Sequence, residues 1–400
     1  MSITIRLAAA AAVLALSPLL GAAERDLAAE LDALRAELAA LQQDTVQRVP
    51  GGGLRLGDTT LRLGGYVRGD MSVSNHGYQN GTNNEVVVAS GVKATRHDRG
   101  WRTGFSARQS QLYLSTVTPF GEQALRTHVA VDFYGNDMQA NELVSNSYAP
   151  RLREAYGSYG GWLVGQTWST FTDLQGVGDL LAFGQHASVN FVRQAQVRYT
   201  RGSDVAKLEL ALENPEDTGL DHQDVPDTVV RLSTRQAWGY LSAAAVARRL
   251  RLDDASGRDA QWTGAYSVTG RFPTWGKDDL RLQLNYGNLG RYMGLRTFAD
   301  AVVDQGQISD VTAWGYSVIY RHYWTERLRS SAAWSDSGLR DQQDYQPGTN
   351  RRYRTASVNL LWSPLSVLTY GIELQHYQLQ EVGGRRADLA RVQLAAQYSF

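Results

Sequence analysis

The chain has 400 residues, with 40 basic and 40 acidic side chains and a negative mean hydropathy of -0.35. This balance, with 39 glycines, 20 tyrosines and 10 tryptophans, argues against a helical membrane protein. After the N-terminus no segment approaches the run of about 18 apolar residues that a spanning helix needs. The absence of cysteine from the sequence excludes a disulfide framework and a thiolate metal site.

The first 23 residues predict a signal peptide. The run MSITIRLAAAAAVLALSPLLGAA places Arg6 before an apolar stretch from Leu7 to Leu20, followed by the small residues Gly21 and Ala23 at a plausible cleavage site. An uncleaved anchor helix is the alternative, although the apolar run is short for one. We therefore expect residues 1–23 to direct export from the cytoplasm.

A stripe of leucines follows the predicted signal peptide. Alternate spacings of four and three residues place one narrow apolar face along a helix, at Leu27, Leu31, Leu34, Leu38 and Leu41. Glu30 falls at a g position and Arg35 at the following e position, where they can pair between parallel helices. The pattern predicts a short parallel coiled coil over residues 24–47, with a helix docked on its own domain as the alternative. The sequence RVPGGG ends this helix and begins a linker over residues 48–58.

From residue 59 onwards, apolar and polar residues alternate with a period of two. In LRTHVAVDF, Leu125 and Val129 share one face while Arg126 and His128 share the other. The segment ARVQLAAQYSF keeps the same alternation up to Phe400. Such runs predict about 16 strands of roughly ten residues, the length that a tilted strand needs to cross a bilayer.

The connections alternate as well, between short turns such as TPFGE and long polar segments such as residues 72–102 and 287–310. Short turns at one end and long loops at the other are typical of an outer-membrane barrel. A soluble β-sandwich or propeller is the alternative, but a propeller repeats a motif at a fixed period and the sequence has none.

The number of strands distinguishes a soluble barrel from a membrane barrel. About eight strands already fill a soluble barrel, whereas about 16 strands enclose a tube too wide for side chains to fill. The apolar face must then contact lipid and the polar face a wet lumen, and the last strand must pair with the first. The predicted fold is all-β, an antiparallel transmembrane β-barrel of about 16 strands over residues 59–400, preceded by a short N-terminal α-helical coiled coil.

Two segments, REAYGSYGGWLVGQTWSTF and NFVRQAQVRYT, resemble the DcaP-type porins, which are trimeric outer-membrane channels for dicarboxylates and related anions. The resemblance extends to the layout, because that family carries a periplasmic coiled coil before its barrel. It implies that the third long loop, here about residues 170–190, folds into the lumen and sets the constriction. The constriction-loop candidates are then Asp173, Asp179 and Gln185.

One strand departs from the pattern of many porins, which carry a charged residue there. In RQSQLYLST the lumen-facing positions are Gln109, Gln111, Tyr113 and Ser115. The resemblance therefore transfers no basic ladder onto this strand.

Arginine dominates the basic residues, since the only lysines are Lys93, Lys207 and Lys277. A guanidinium is always charged and offers a planar fork that suits carboxylate and phosphate oxygens. Several such charges in a narrow tube concentrate anions, although lumen arginines can also do no more than pair with lumen acids. The candidate pore-lining and substrate-binding residues are Arg68, Arg231 and Arg391 at mid-strand, Arg126, Arg198 and Arg281 nearer the short turns, and Gln111 and Gln196. Four arginines share parity with apolar neighbours and are predicted at a rim or subunit interface: Arg108, Arg193, Arg352 and Arg354.

Motifs for catalysis are absent from the sequence. It contains no H-E-x-x-H and no G-x-S-x-G, and GVGDLL lacks the third glycine and the strand-to-helix setting of a nucleotide loop. We expect no enzyme activity, no cofactor, no metal and no nucleic-acid partner.

The sequence thus predicts an outer-membrane porin for passive diffusion of small anionic solutes such as dicarboxylates. The alternatives are a general or phosphate-selective porin and an envelope structural protein that tethers the barrel through its coiled coil. The expected partners are outer-membrane lipid and lipopolysaccharide, small anionic solutes and two further copies in a homotrimer, with the coiled coil in the periplasm.

Overall fold

The computed structural model describes residues 32–35, 47–48, 53–76, 86–95, 99–135, 148–182, 186–203, 205–216, 220, 224–254, 257–340 and 345–400. The chain divides into two units, Met1–Arg62 and Leu63–Phe400. The predicted signal peptide and most of the predicted coiled coil lie outside the described residues. None of the helices in the described part of the chain is both long and apolar enough to cross a membrane.

The first unit contains a helical turn at residues 32–35 and two short strands, β1 (Gln47–Arg48) and β2 (Leu54–Leu56). Strand β1 pairs antiparallel with β2, which pairs in turn with Thr59–Leu61. These strands lie at the end of the predicted helix, residues 24–47, and within the predicted linker, residues 48–58. The strand forms because two leucines alternate with Arg55, and Gly57, with φ of 58°, lets the chain turn back tightly.

The second unit is a closed antiparallel barrel of 16 strands, which confirms the predicted fold. Each strand pairs with its neighbours in chain order, and β4 with β5 makes one barrel strand that is interrupted at residues 107–110. The barrel strands are β3 (Thr59–His76), β4 (Arg99–Ser106), β5 (Gln111–Phe120), β6 (Gln123–Asp132), β7 (Arg151–Tyr159), β8 (Trp162–Trp168), β9 (Arg193–Gly202), β10 (Ala206–Glu213), β11 (Asp227–Gln236), β12 (Gly239–Asp254), β13 (Gly257–Pro273), β14 (Asp279–Gly287), β17 (Ala313–Tyr323), β18 (Leu328–Leu339), β19 (Asn350–Leu365), β20 (Leu368–Glu381) and β21 (Arg386–Ser399). Strands β15 (Ala301–Asp304) and β16 (Gln307–Asp310) form a separate hairpin.

The barrel closes where the last strand meets the first, as the sequence predicted. Strand β21 pairs with β3 from Arg391 opposite Ser74 to Ser399 opposite Tyr66. Gly65 and Phe400 exchange two backbone hydrogen bonds, of 3.2 and 3.0 Å. Closure leaves no sheet edge, so the backbone groups of the wall are paired within the wall.

The two faces of the wall carry opposite chemistry. On β3, Leu63 and Val67 are 68% and 57% exposed on the outside, while Arg68 and Asp70 point inward and are buried. The same outward exposure of large apolar side chains recurs around the barrel, for example at Phe105, Val164, Leu232, Trp262, Leu284, Trp334, Ile372 and Leu394. An apolar outer band with a polar interior is the pattern of a barrel immersed in lipid.

Short turns join the strands at one end of the barrel, and longer loops join most of them at the other. Loop L1 lies between β3 and β4 and contains the helix α1 (Ala89–Ala94); loop L3 comprises residues 169–192; loop L6 comprises residues 288–312. Loop L3 contains a 3₁₀ turn at Leu174–Gly176.

Apolar side chains from these three loops pack inside the barrel. Phe171 of L3 packs against Leu289, Tyr292 and Met293 of L6 in one buried cluster. Val87, Ala89 and Val92 of L1 join Ala187 of L3 in a second cluster, together with the wall residues Tyr353, Tyr377, Leu379, Ala387 and Leu389. The loops therefore fill much of the space that the wide strand ring encloses.

Candidate pore and constriction

Loop L3 lies against the inner face of the barrel and contacts one strand after another. Its first turn is fixed by Asp173, which accepts hydrogen bonds from the Tyr240 hydroxyl at 2.7 Å, from Ser242 Oγ and from the Gln175 N–H at 2.9 Å. Arg231 donates to the Thr172 carbonyl at 2.9 Å. These contacts hold the start of the loop on strands β11 and β12.

The middle of L3 is bound by charged side chains of the wall. Asp179 accepts from Arg329 Nε at 2.5 Å, and its carbonyl accepts from Asn359 at 2.8 Å. Arg281 donates to the Val177 carbonyl while its Nε lies 2.6 Å from Asp279. The wall strands β14, β18 and β19 thus fix a loop that has no regular hydrogen-bond ladder of its own.

A buried carboxylate organises the next step of L3. Glu373, fully buried on β20, accepts from the backbone N–H of Leu181 at 2.7 Å and of Ala182 at 3.2 Å. The Leu181 carbonyl accepts from Arg68 at 2.7 Å, and Arg68 also lies 2.8 Å from Asp70. One peptide of L3 is therefore held between an acceptor on β20 and a donor on β3.

The end of L3 is held by neutral groups. Ser188 N–H and Oγ reach Ser335 Oγ at 2.9 and 2.8 Å, and the Asn190 amide donates to Asn285 at 2.9 Å. Ala187 N–H donates to Thr355 Oγ1 at 3.3 Å.

Loop L6 lies beside L3 inside the barrel. The N–H of Phe191 donates to the carbonyl of Tyr292 at 3.0 Å, and the N–H of Gly294 donates to the carbonyl of Val189 at 3.0 Å. The Tyr292 hydroxyl donates in turn to Asp227 on β11 at 2.6 Å. The inner loops consequently support one another as well as the wall.

The predicted pore-lining residues fall into two groups. Arg68, Arg231 and Arg281 each contact a carboxylate of the wall and donate to a backbone carbonyl of L3. Gln196 donates to the carbonyl of Trp168, next to L3, at 2.9 Å. The remaining four predicted residues lie on the inner face away from these carbonyl contacts. Arg391 is buried and Arg126 is exposed. Arg198 Nε lies 3.9 Å from Glu209, and Gln111 accepts a hydrogen bond from the Tyr66 hydroxyl at 3.4 Å. Asp173 and Asp179 both lie in L3, and Gln185 lies outside the described residues.

A cavity of about 390 Å³ opens below L3 toward the short-turn end. Arg198, Lys207, Arg231 and Arg235 line it. Its carboxylates are Glu154, Asp173 and Glu209. Arg231 lies 2.6 Å from Glu209, whereas Lys207 and Arg235 of this cavity have no carboxylate within 4.0 Å among the described residues. The same holds for Arg126, which lies on β6 near the turn to β5. Sequence reasoning missed Lys207 and Arg235, although each shares lumen-facing parity with a neighbouring charged residue.

The sequence of residues 56–396 matches the porin subfamily. The chain belongs to this family. A comparison with curated proteins gave no significant match.

Solved porin structures share the fold. This porin is similar to the outer membrane channel DcaP of Acinetobacter baumannii, with a TM-score of 0.78 and 20% identity over 88% of this chain and 99% of that chain. An anion-selective porin from Comamonas acidovorans has a TM-score of 0.58 and 11% identity over 86% and 100% of the two chains. The trimer form of OmpT of Vibrio cholerae has a TM-score of 0.56 and 11% identity over 86% and 99%. The protein thus has the fold of an outer-membrane channel.

All four arginines predicted at a rim or subunit interface contact neighbouring side chains in this porin. Arg352 and Arg354 both contact the buried Asp336, at 2.5 and 3.3 Å. Arg193 stacks on Trp168, with its guanidinium carbon 3.6 Å from the ring centre. Arg108 lies 3.1 Å from the ring centre of Tyr148. Each guanidinium lies on an aromatic ring or carboxylate of the barrel itself.

We expect the buried His186 to make L3 sensitive to acid. Burial lowers the pKa of this imidazole to about 4 from its ordinary value of 6.5, so the docked loop holds it neutral. In a released loop the His186 imidazole would protonate near pH 6.5. The free energy that favours docking of the loop therefore falls by up to about 1.4 kcal/mol per pH unit as the pH falls from 6.5 to about 4. We expect larger current fluctuations at pH 4.5 than at pH 7.5 in planar bilayers.

Two histidine variants test this expectation. His186→Leu keeps the site apolar and should abolish the pH dependence of the fluctuations. His376→Leu, on the outer face of β20, is the matched control and should leave it unchanged. Equal fluctuations at both pH values in the unaltered porin would contradict a role for His186.

Proposed function

We propose that this porin mediates passive diffusion of small anionic solutes, such as dicarboxylates, across the outer membrane. The observation that carries the proposal is the set of cations at the short-turn mouth, Arg126, Lys207 and Arg235, which have no carboxylate within 4.0 Å among the described residues. Lumen arginines such as Arg68, Arg231 and Arg281 are paired with acids beside them, so we expect these three cations to bias the local field toward anions.

Like charges around a narrow opening focus the electric field in the opening. A single solvated pair at 4 Å is worth only about 1 kcal/mol, but several like charges around a narrow opening with low-dielectric walls raise the local anion concentration. Attraction of this strength draws anions in without trapping them, which is what conduction requires. Small carboxylates fit the fork of the arginines and the point charge of the lysine.

The test is the reversal potential in a planar bilayer under a KCl gradient. We expect anion selectivity in the unaltered porin and current block by a dicarboxylate added to one side. The triple variant Arg126→Gln, Lys207→Gln and Arg235→Gln should lower the anion-to-cation permeability ratio about fivefold, the factor that about 1 kcal/mol of lost attraction gives.

Arg258→Gln is the matched control, because this side chain is 85% exposed on the hairpin between β12 and β13. It should leave the reversal potential unchanged. Cation selectivity of the unaltered porin, or an unchanged ratio in the triple variant, would refute the proposed preference for anions and leave a general porin.

The proposal extends to the assembly and its placement. We infer a homotrimer, supported by the trimer form of the similar porin OmpT. We also infer that residues 24–47 form a periplasmic coiled coil, supported by the leucine stripe, and that residues 1–23 are a cleaved signal peptide. The mass of the purified porin in detergent, with and without residues 24–47, distinguishes a trimer held by the helix from one held by the barrel wall.

A further inference from the structure

The inner face of the barrel is covered unevenly. Hydrogen bonds and ion pairs from L3 reach β9 and β10 at Gln196 and Glu213, continue through β11 to β20, and end at Gln393 on β21 and Arg68 on β3. This path follows the wall around to the first strand of the barrel. The inner face of β5, β6 and β7 lies on the remaining side.

Side-chain exposure divides in the same way. Inward-pointing residues of the covered wall are almost fully buried, with 3% exposure at Ser267, 1% at Ser317 and none at Gln283, Ser335 or Gln393. Seven inward-pointing residues of β5, β6 and β7 are instead partly exposed, namely Gln111, Tyr113, Ser115, His128, Glu154, Tyr156 and Ser158, and Arg126 is exposed. Toward the long loops Ala130 and Asp132 of β6 are buried, as are Leu163 and Thr167 of β8. Since both sets face the lumen, the difference shows where open space adjoins the wall.

The open side has an ordered surface of its own. The rings of Tyr113, His128 and Tyr156 stand side by side on three adjacent strands, with centroids 5.7 and 5.6 Å apart. Ser115 Oγ lies 2.8 Å from His128 Nδ1 and fixes the imidazole. This row is named the Tyr–His–Tyr row.

Charged groups lie at both ends of the row. Toward the long loops, Asp132 accepts from Arg151 and Arg153, each at 2.7 Å. Toward the short turns lies Arg126, followed by the cavity with Lys207 and Arg235. A solute that moves along this wall meets cationic groups before and after the aromatic row.

We propose that solutes cross the barrel along the inner wall of β5 to β7, and that Tyr113, His128 and Tyr156 are specificity-determining residues that they contact there. The inference rests on the channel function proposed above, but it does not depend on a preference for anions. It assigns Arg68, Arg231 and Arg281 to holding L3 rather than to solute contact.

Single cysteines test the route cleanly, because the sequence contains no cysteine. Ser115→Cys and Ser158→Cys probe the open wall, while Ser267→Cys and Ser317→Cys are matched substitutions on the covered wall. Each variant is inserted in a planar bilayer and exposed in turn to a negatively and a positively charged methanethiosulfonate reagent. We expect a stepwise loss of conductance at Ser115→Cys and Ser158→Cys, and none at the covered positions.

The outcomes separate the route from the charge preference. Loss of conductance at Ser267→Cys or Ser317→Cys, with none at Ser115→Cys, would overturn the route. Block of the open-wall variants by both reagents, together with a cation-selective reversal potential, would support the route while the proposed anion preference fails. Tyr156→Leu provides a second readout, because it should change the concentration of dicarboxylate that halves the current, whereas Tyr353→Leu, at a ring buried among L1 and β20, should not.

Discussion

Replacing Glu373 with glutamine should release L3 from the inner wall and raise the conductance of the pore. The carboxylate accepts two backbone N–H groups of L3, and it also accepts from the side chains of Asn359 at 3.0 Å and Gln375 at 2.9 Å. A glutamine has only one acceptor oxygen, so at least one of these buried donors loses its partner and faces the new amide N–H₂ group. A buried unsatisfied donor costs about 1–3 kcal/mol, which lowers the ratio of docked to released loop by about fivefold to 150-fold.

Single-channel recording measures this release directly. Glu373→Gln should show a higher mean conductance and frequent transitions between two levels, as L3 leaves and regains the wall. Glu326→Gln is the matched control, since its side chain is 78% exposed in a short turn. A Glu373→Gln channel with the conductance and noise of the unaltered porin would show that the carboxylate does not hold the loop.

The barrel could be predicted from sequence because one local rule governs all of it. Each wall residue faces either lipid or the lumen, and the choice alternates with the pleat, so parity alone placed Leu63 outside and Arg68 inside. Closure followed for the same reason, since an unpaired strand edge has no place in a membrane. The pairing of β21 with β3 therefore follows from the lipid surroundings of the barrel rather than from any particular side chain.

The roles of the inward residues could not be predicted in the same way. Parity placed Arg68, Arg231 and Arg281 on the inner face, but what they bind depends on residues far away in the chain. The Leu181 carbonyl that Arg68 holds lies 113 residues later, and Val177 lies 104 residues before Arg281. Only the course of L3 decides which arginines it covers. The sequence of this loop has no period, and its described residues form no regular element beyond one 3₁₀ turn, so its course could not be deduced.

A second large effect is expected from replacing Arg248, a buried charged residue. This side chain is 1% exposed, and its guanidinium lies 3.2 Å from Asp227 and 2.6 Å from Asp300, which are 2% and 1% exposed. It also donates to Asn288 at 2.7 Å, and Asp300 accepts the N–H of Arg291 at 3.1 Å. The guanidinium therefore joins β11 and β12 to L6, and its removal takes the positive charge away from two buried carboxylates.

Arg248→Met should destabilise the docked L6 by about 3–5 kcal/mol, the usual cost of breaking a buried ion pair from one side. L6 contains Arg291 and Arg296, so trypsin should cut the folded variant there while leaving the unaltered porin intact; mass spectrometry identifies the cut. Arg258→Met is the control, because an exposed pair contributes about 0–1 kcal/mol. The double variant Arg248→Met and Asp300→Asn should recover part of the protection against trypsin, because it also removes one of the two buried negative charges. Resistance of Arg248→Met to trypsin would mean that the apolar cluster of Phe171 and Tyr292 holds L6 without the ion pairs.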